Sequence, residues 1–336
     1  MKKLNFIIKY GLALLLLSFY SCESWLNVTP SDRLSEEMLF NDREGFVKAL
    51  NGVYIELNTN ELYGRNLTAG ALDVMGQYYS VASSSHAFYN YGGLVYTGND
   101  EKALFNNMWQ KCYAVIACCN KAGLSPVWRG SIKGEALALR AMLHFDMLRL
   151  FGPLTSELDK ESIPYQTNSD QTVTPLLSGS EVVGLILDDL KNAVGLLKDT
   201  DPYFVEEEFS DTDLNYRRFR MNYFAAKGLM ARVQLWGGDK EKAAATAKEV
   251  IAEGQAEGAE FFPFVTNSEA TSSNPDRVFY SEVLFGTYHS SREKLHEDLF
   301  APTLESTSIL TLAGTARRDD LYDNENDYRY SVWSTY

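Results

Sequence analysis

The sequence predicts a mainly α protein, with tetratricopeptide-like helical hairpins joined by long irregular loops. Three observations predict it. Apolar residues recur at helical spacing in successive stretches of the chain. Capping-box patterns open two of those stretches, and Gly152 with Pro153 and Gly237 with Gly238 punctuate others. Residues 221–254 form a 34-residue block, which is the length of a tetratricopeptide repeat.

The elements follow in order. Lys2, Lys3 and Lys9 precede or flank a short apolar core at 12–17, extended by Phe19 and Tyr20. That core is shorter than the ~20 apolar residues a spanning helix needs. With the small Ser21 before Cys22, residues 1–21 read as a secretory signal peptide. Cys22 then becomes the candidate lipid anchor. Acyl chains contribute roughly 0.8 kcal/mol per buried CH₂, and two or more of them hold a protein on a membrane. Residues 22–40 read as an extended leader and 41–336 as the helical domain.

Asn41 and Glu44 predict a capped helix start, after which Phe46, Leu50, Val53, Tyr54 and Leu57 fall on one face. Residues 60–100 carry no sustained period. They are rich in Gly and hold six aromatics between 78 and 96. Long irregular segments in compact domains are usually functional or disordered, and so many aromatics argue against disorder. Leu104, Phe105, Met108, Trp109, Cys112, Tyr113 and Ile116 mark the next helix. A second, apolar almost all round, runs over 133–151, and the two predict a hairpin. Residues 154–177 read as a polar connection. Ser178 and Glu181 box the start of a helix through Val183, Ile186, Leu190, Val194 and Leu197. After an acidic loop, 221–236 and 239–253 predict a second hairpin, with Ala231 and Ala243 as the small residues that let its helices approach. The alternation of Phe279, Ser281, Val283 and Phe285 predicts a strand over 278–285.

Removing the signal leaves 28 basic against 45 acidic residues, a net charge of −17. So acidic a surface excludes nucleic acid and anionic lipid headgroups as partners, since both need basic patches. Beyond Cys22 the cysteines are Cys112, Cys118 and Cys119, all in one helical stretch. An odd number gives no disulfide framework, and they read as small core residues. Cys112 and Cys119 stand two turns apart, about 10.5 Å of rise, too far for a bridge.

These residues in this order resemble the SusD/RagB family of surface glycan-binding lipoproteins. Cys22 is followed by Leu26, Asn27, Val28, Thr29 and Pro30, similar to that family's leader. Leu50, Asn51, Gly52, Val53 and Tyr54 resemble its first helix. Its most recognisable block is matched by Lys133, Gly134, Glu135 and Ala136, then Leu139, Arg140 and Ala141, then Phe145 and Asp146, then Arg149 to Gly152. Asp188, Asp189 and Leu190, and Ala225 to Gly228, continue the pattern. The resemblance implies a tetratricopeptide-like scaffold with the ligand face on irregular loops. It implies an oligosaccharide or related nutrient as ligand, no cofactor, and anchorage at the cell-surface side of the outer membrane. It also implies a SusC-type TonB-dependent transporter as partner, capped by the lipoprotein as by a lid. Family members run on well past the point where this chain stops, so part of the C-terminal region is expected to be missing. Read from the residues alone, the repeats also fit a protein-interaction scaffold, and the aromatic loop also fits a peptide or glycopeptide.

Sugars present apolar CH faces that aromatic rings cover at little entropy cost, and hydroxyls that amides, carboxylates and guanidinium groups hydrogen-bond. The candidate ligand residues are therefore Arg65, Asp73, Tyr78, Tyr79, Tyr96 and Asn99, with Gln77 beside them. Tyr288, Tyr322 and Trp333 are a second tier from the later segment. Trp109, Trp128 and Trp236 read as structural. The sequence has no HExxH, G-x-S-x-G or phosphate-loop pattern, and His144 reads as a core imidazole. Asp323, Glu325 and Asp327 alternate as at the start of a calcium loop, but Tyr328 stands where Gly is required. The expectation is a binding protein with no catalytic residues and no metal.

Overall fold

The computed structural model describes Phe40, residues 42–123, 130–170, 172–205, 216–256 and 259–312, and Asp319, Asp320, Tyr322, Asn324 and Asp327. Asn41, which was expected to cap the first helix, lies outside them, as do Cys22, Trp128 and Trp333. Helix α1 (Arg43–Leu57) is capped by Asp42, whose Oδ1 accepts from Gly45 N at 2.8 Å.

The scaffold is helical. Helices α2 (Ala71–Met75) and α3 (Tyr89–Gly92) are single turns within the irregular segment. Then come the long helices α4 (Asn99–Ala122) and α5 (Gly130–Phe151). Fourteen residues of α5 are buried, among them Leu139, Leu143, Phe145, Met147 and Leu148, spread around its circumference. A helix apolar all round must be covered all round, and α5 packs against α4, α6 (Gly179–Thr200) and α7 (Tyr223–Trp236). Gly134 permits the close approach to α6: a Cβ there would lie 2.7 Å from Leu197 Cγ and 3.2 Å from Ala193 O.

Side chains set the helix starts. The Ser178–Glu181 capping box opens α6 as expected. Asn222 Oδ1 accepts from Ala225 N at 2.9 Å to open α7, and Asp239 Oδ1 accepts from Lys242 N at 3.0 Å to open α8 (Lys240–Gly254). Helices α7 and α8 form the predicted hairpin, turned at Gly238 with φ +92°. Ala243 is buried in it, and Thr246 donates to Gln234 Oε1 across it at 2.9 Å.

Three expectations are corrected. The connection 154–177 holds a two-stranded antiparallel ribbon, β2 (Glu161–Pro164) with β3 (Leu176–Ser178). Residues 278–285 form no strand. Both carboxylate oxygens of Asp276 accept from backbone, at Val278 N (3.0 Å) and Tyr280 N (2.7 Å), and wind the chain into a 3₁₀ turn at Tyr280–Glu282 with Phe279 at φ +50°. Cys118 is exposed, whereas Cys112 and Cys119 are buried thiols of the core.

His144 is the core imidazole the sequence suggested. Its Nδ1 faces Arg140 O at 2.9 Å, its Nε2 accepts from Gln166 N at 3.0 Å, and Tyr165 stacks on the ring at 3.9 Å. Burial lowers its pKa to about 3, which keeps the ring neutral with both nitrogens occupied. Beyond the repeats lie the ribbon of β4 (Gln255–Ala256) and β5 (Ala259–Glu260), the single turn α9 (Asn267–Ala270), and α10 (Arg292–Leu299). Strand β1 (Tyr79–Ser80) pairs antiparallel with β6 (Thr311–Leu312) and ties this late region to the irregular 60–100 segment.

Candidate functional site

Where α1 ends, the chain enters a run of tight turns. Asn58 Nδ2 donates to Tyr54 O at 2.9 Å, Gly64 N to Thr59 O at 3.0 Å, and Thr68 Oγ1 to Tyr63 O at 3.0 Å. Gly64 is obligatory here, since a Cβ would collide with the carbonyl of Asn58. The turns form one wall of a cavity of about 430 Å³. Asn58, Asn60, Glu61 and Arg65 line that wall. His289, Ser291, Lys294 and Asp298, from α10 and the residues before it, line the other. Lys294 pairs with Asp298 at 2.8 Å, and Arg65 Nε donates a long bond to Asn66 Oδ1 at 3.4 Å. The lining is polar and mixed in sign.

A second cavity, of about 260 Å³, lies beside it. Asn51, Tyr54, Ile55 and Asn58 come from α1 and its end, Phe219 and Arg220 from the segment before α7, and Tyr288 from the segment before α10. Ile55 is 70% exposed and Tyr288 64%. Phe219 packs on Tyr288 with centroids 5.5 Å apart, on Tyr280 at 5.9 Å and on Tyr216 at 6.3 Å. Arg220 is held in place: its Nη1 donates to Asn51 Oδ1 at 2.5 Å, its Nε to Glu135 Oε2 at 3.0 Å, and its guanidinium sits 4.3 Å over the Tyr54 ring.

The other predicted residues are dispersed. Asp73 lies close enough to Tyr79 of β1 to act on its hydroxyl electrostatically. Tyr79 packs on Phe300 at 5.3 Å, and burial, helped by Asp73 and Tyr322, raises its pKa to about 12. Burial lifts Asp73 to about 6. Tyr78 is 44% exposed on the turn where Gln77 has φ +61°. Tyr96 is half-buried and meets Phe105 edge-on at 5.3 Å. Asn99 is exposed at the first position of α4. Trp109 packs on Tyr113 and Phe151, and Trp236 on Phe145, in structural roles.

The raised value for Asp73 has a consequence with a definite sign. A carboxyl with an elevated folded pKa supports the fold while protonated and loses that support as pH rises from 3.8 through about 6. Asp73→Asn mimics the protonated acid. It is therefore expected to raise the melting temperature at about pH 8 and to leave it unchanged near pH 4. Equal melting of the two proteins at both pH values would contradict this.

Sequence reasoning missed Ile55, Asn58, Phe219, Arg220 and Lys294. One signal was present: Tyr216, Arg217, Arg218, Phe219 and Arg220 interleave aromatics with arginines, at the edge of what reads as an acidic loop. Nothing local marks Asn58 or Lys294. Among the described residues no group of three or more His, Cys, Asp or Glu side chains gathers to hold a metal ion.

The scaffold of helical hairpins thus carries a polar groove beside the exposed ring of Tyr288. The chain is a member of the SusD-like family: the family profile described as starch-binding associating with outer membrane matches residues 24–235. SusD-like protein P2 of Formosa agariphila is 25% identical over 258 residues, covering 74% of this chain and 46% of the relative. A SusD-like carbohydrate binding protein from Bacteroides vulgatus shares the fold with a TM-score of 0.62 at 20% identity, over 85% of this chain and 59% of that one. A SusD superfamily protein from Bacteroides thetaiotaomicron does so with a TM-score of 0.60 at 20% identity, over 85% and 62%. The chain spans less than half the length of the P2 relative.

Proposed function

We propose that this protein is a lipid-anchored lipoprotein of the outer membrane that binds oligosaccharides at the cell surface and delivers them to a SusC-type TonB-dependent transporter. The observation that carries the reading is the groove between the turns after α1 and α10. There Arg65, Asn58, Asn60, Glu61 and Lys294 offer donors and acceptors beside the exposed side chains of Ile55 and Tyr288. This pairing of apolar faces with planar polar groups is what sugar rings require. Asp73, Tyr78, Tyr79, Tyr96, Asn99 and Trp333 are proposed as further ligand contacts. Membership of a family described as starch-binding supports the glycan, and its association with the outer membrane supports the location.

Calorimetry of the full chain against starch, β-glucan, xylan and pectin fragments tests the ligand class. Binding to at least one, lost in Arg65→Ala with the fold intact, is the expected result; no binding to any would overturn the reading. The tether is tested separately. Cys22→Ala should release the protein from the membrane fraction, because the acyl chains hang on that sulfur. Unchanged membrane retention would sink the anchor assignment.

A further inference from the structure

A third cavity, of about 400 Å³, lies between α5, α7 and residues 283–285, and it shares no lining residue with the two described above. On α7, Ala225, Gly228, Leu229 and Arg232 stand three and four residues apart and so share one face. The small Ala225 and Gly228 hollow that face: a Cβ at Gly228 would already lie 3.0 Å from Leu284 Cδ1. On α5, Met142 and Asp146 stand one turn apart on the opposite wall. The segment 283–285 is pinned in place. Leu284 O accepts from Asn222 Nδ2 at 2.7 Å, Gly286 N donates to Arg218 O at 2.9 Å, and Phe285 packs on Tyr54 with centroids 6.5 Å apart. The hollow is thus built into the scaffold, and its volume falls within the range of roughly 300–1,000 Å³ that small-molecule sites occupy.

Two ionised side chains line it, Asp146 and Arg232. Asp146 is already satisfied: Arg149 pairs with one oxygen, and Tyr63 OH donates to the other at 2.5 Å. Arg232 is exposed, and among the described residues it has no hydrogen bond or ion pair, only the Phe145 ring 5.9 Å beneath its guanidinium. The rim therefore carries one uncompensated positive charge. The rest is apolar, with the sulfurs of Met142 and Met221 and the ring of Phe285 as partners that an aromatic ring favours. A sugar is poorly matched here, since most of its hydroxyls would be buried without partners.

We infer that this cavity is a second binding site, for a small aryl carboxylate. The ring lies among Met142, Met221, Leu229 and Phe285, and the carboxylate pairs with Arg232 at the rim. None of these residues belongs to the proposed glycan groove, so the inference stands or falls apart from that reading.

The test is a ligand-observed NMR titration of the full chain with 3-phenylpropanoate, its amide and octanoate. It is run on the wild type, Arg232→Gln and Gly228→Leu, each checked for an unchanged circular dichroism spectrum. The expected result is one equivalent of 3-phenylpropanoate per chain, with the uncharged amide about tenfold weaker, because hydrogen bonds between charged partners are the stronger ones. Arg232→Gln should weaken the acid by about the same factor and bring it level with the amide. Gly228→Leu, whose side chain fills the hollow, should abolish both. If Gly228→Leu fails to fold, the exposed Arg232 decides alone. No saturable binding to the wild type, an amide bound as tightly as the acid, or an affinity unchanged in Arg232→Gln overturns the site. Octanoate bound more tightly than 3-phenylpropanoate overturns the assignment to an aromatic ligand.

Discussion

Arg217→Ala is expected to cost about 3–5 kcal/mol of folding stability, because it leaves the buried Asp201 without its cation and the buried Glu135 with Arg220 alone. Arg217 is 3% exposed and Asp201 0%. The guanidinium donates through Nε and Nη2 to Asp201 at 3.0 and 2.7 Å, and through Nη1 to Glu135 at 2.5 Å. Asp201 also accepts from Tyr223 N at 2.8 Å. Tyr54 OH donates to Glu135 Oε2 at 2.7 Å and accepts from Met221 N at 2.8 Å. The network therefore binds α1, α5, the end of α6 and the start of α7 at one point. It also fixes Arg220, and with it one wall of the Tyr288 cavity. Burial opposes ionisation of Glu135, but Arg220 and Arg217 prevail and hold its carboxyl below the usual range. A depressed folded pKa gives stability that is present above the unfolded value of about 4.3 and is lost as pH falls below it. Chemical denaturation near neutral pH checks the prediction. A domain of this kind has a stability of order 5–15 kcal/mol, so the loss should be plain, and a variant as stable as the wild type would refute the role given to the network.

Asp189→Ala should cost a similar amount, about 3–5 kcal/mol, for a related reason. Asp189 on α6 accepts a two-pronged bond from Arg140 on α5, at 2.7 Å from Nε and 2.6 Å from Nη2, and a third bond from Tyr165 OH at 2.5 Å. Arg140 Nη1 also reaches Asn120 on α4 at 2.9 Å, and Asn120 Nδ2 donates to the carbonyls of Gln166 and Asn168. One carboxylate thus locks three helices and the loop that follows β2. Without it the guanidinium is stranded in a largely buried place, and Tyr165 loses the partner that holds it against His144. Hydrogen exchange provides the local check. The Gln166 amide, bonded to His144 Nε2 in the wild type, should lose protection first; protection there equal to wild type would contradict the account.

What could be read from residues alone follows physical lines. The helices were readable because burial imposes a 3.6-residue period, and α5 stood out because apolar residues surround it. Capping at Ser178 was readable because a side chain three residues from its partner is a local device. The strand expected over 278–285 failed because Asp276, just outside the stretch, satisfies the backbone that a neighbouring strand would have used. The β2–β3 ribbon was missed because strands of three or four residues carry too little alternation to see. For the site, Arg65 and Tyr288 were each singled out on chemistry, but no local pattern says that α10 and the segment before it fold back over the end of α1. The buried arginine networks were hidden for the same reason: their partners are far apart in sequence, as with Glu135 and Arg217.

A crystal structure of the chain with a bound neutral oligosaccharide tests the central claim most directly. The account predicts a sugar ring lying against Tyr288 and Ile55, with the following units running past Asn58 and their hydroxyls within hydrogen-bond distance of Arg65 and Lys294. A glycan seated instead on the α7–α8 hairpin, with the groove between the α1 turns and α10 left open, would contradict it.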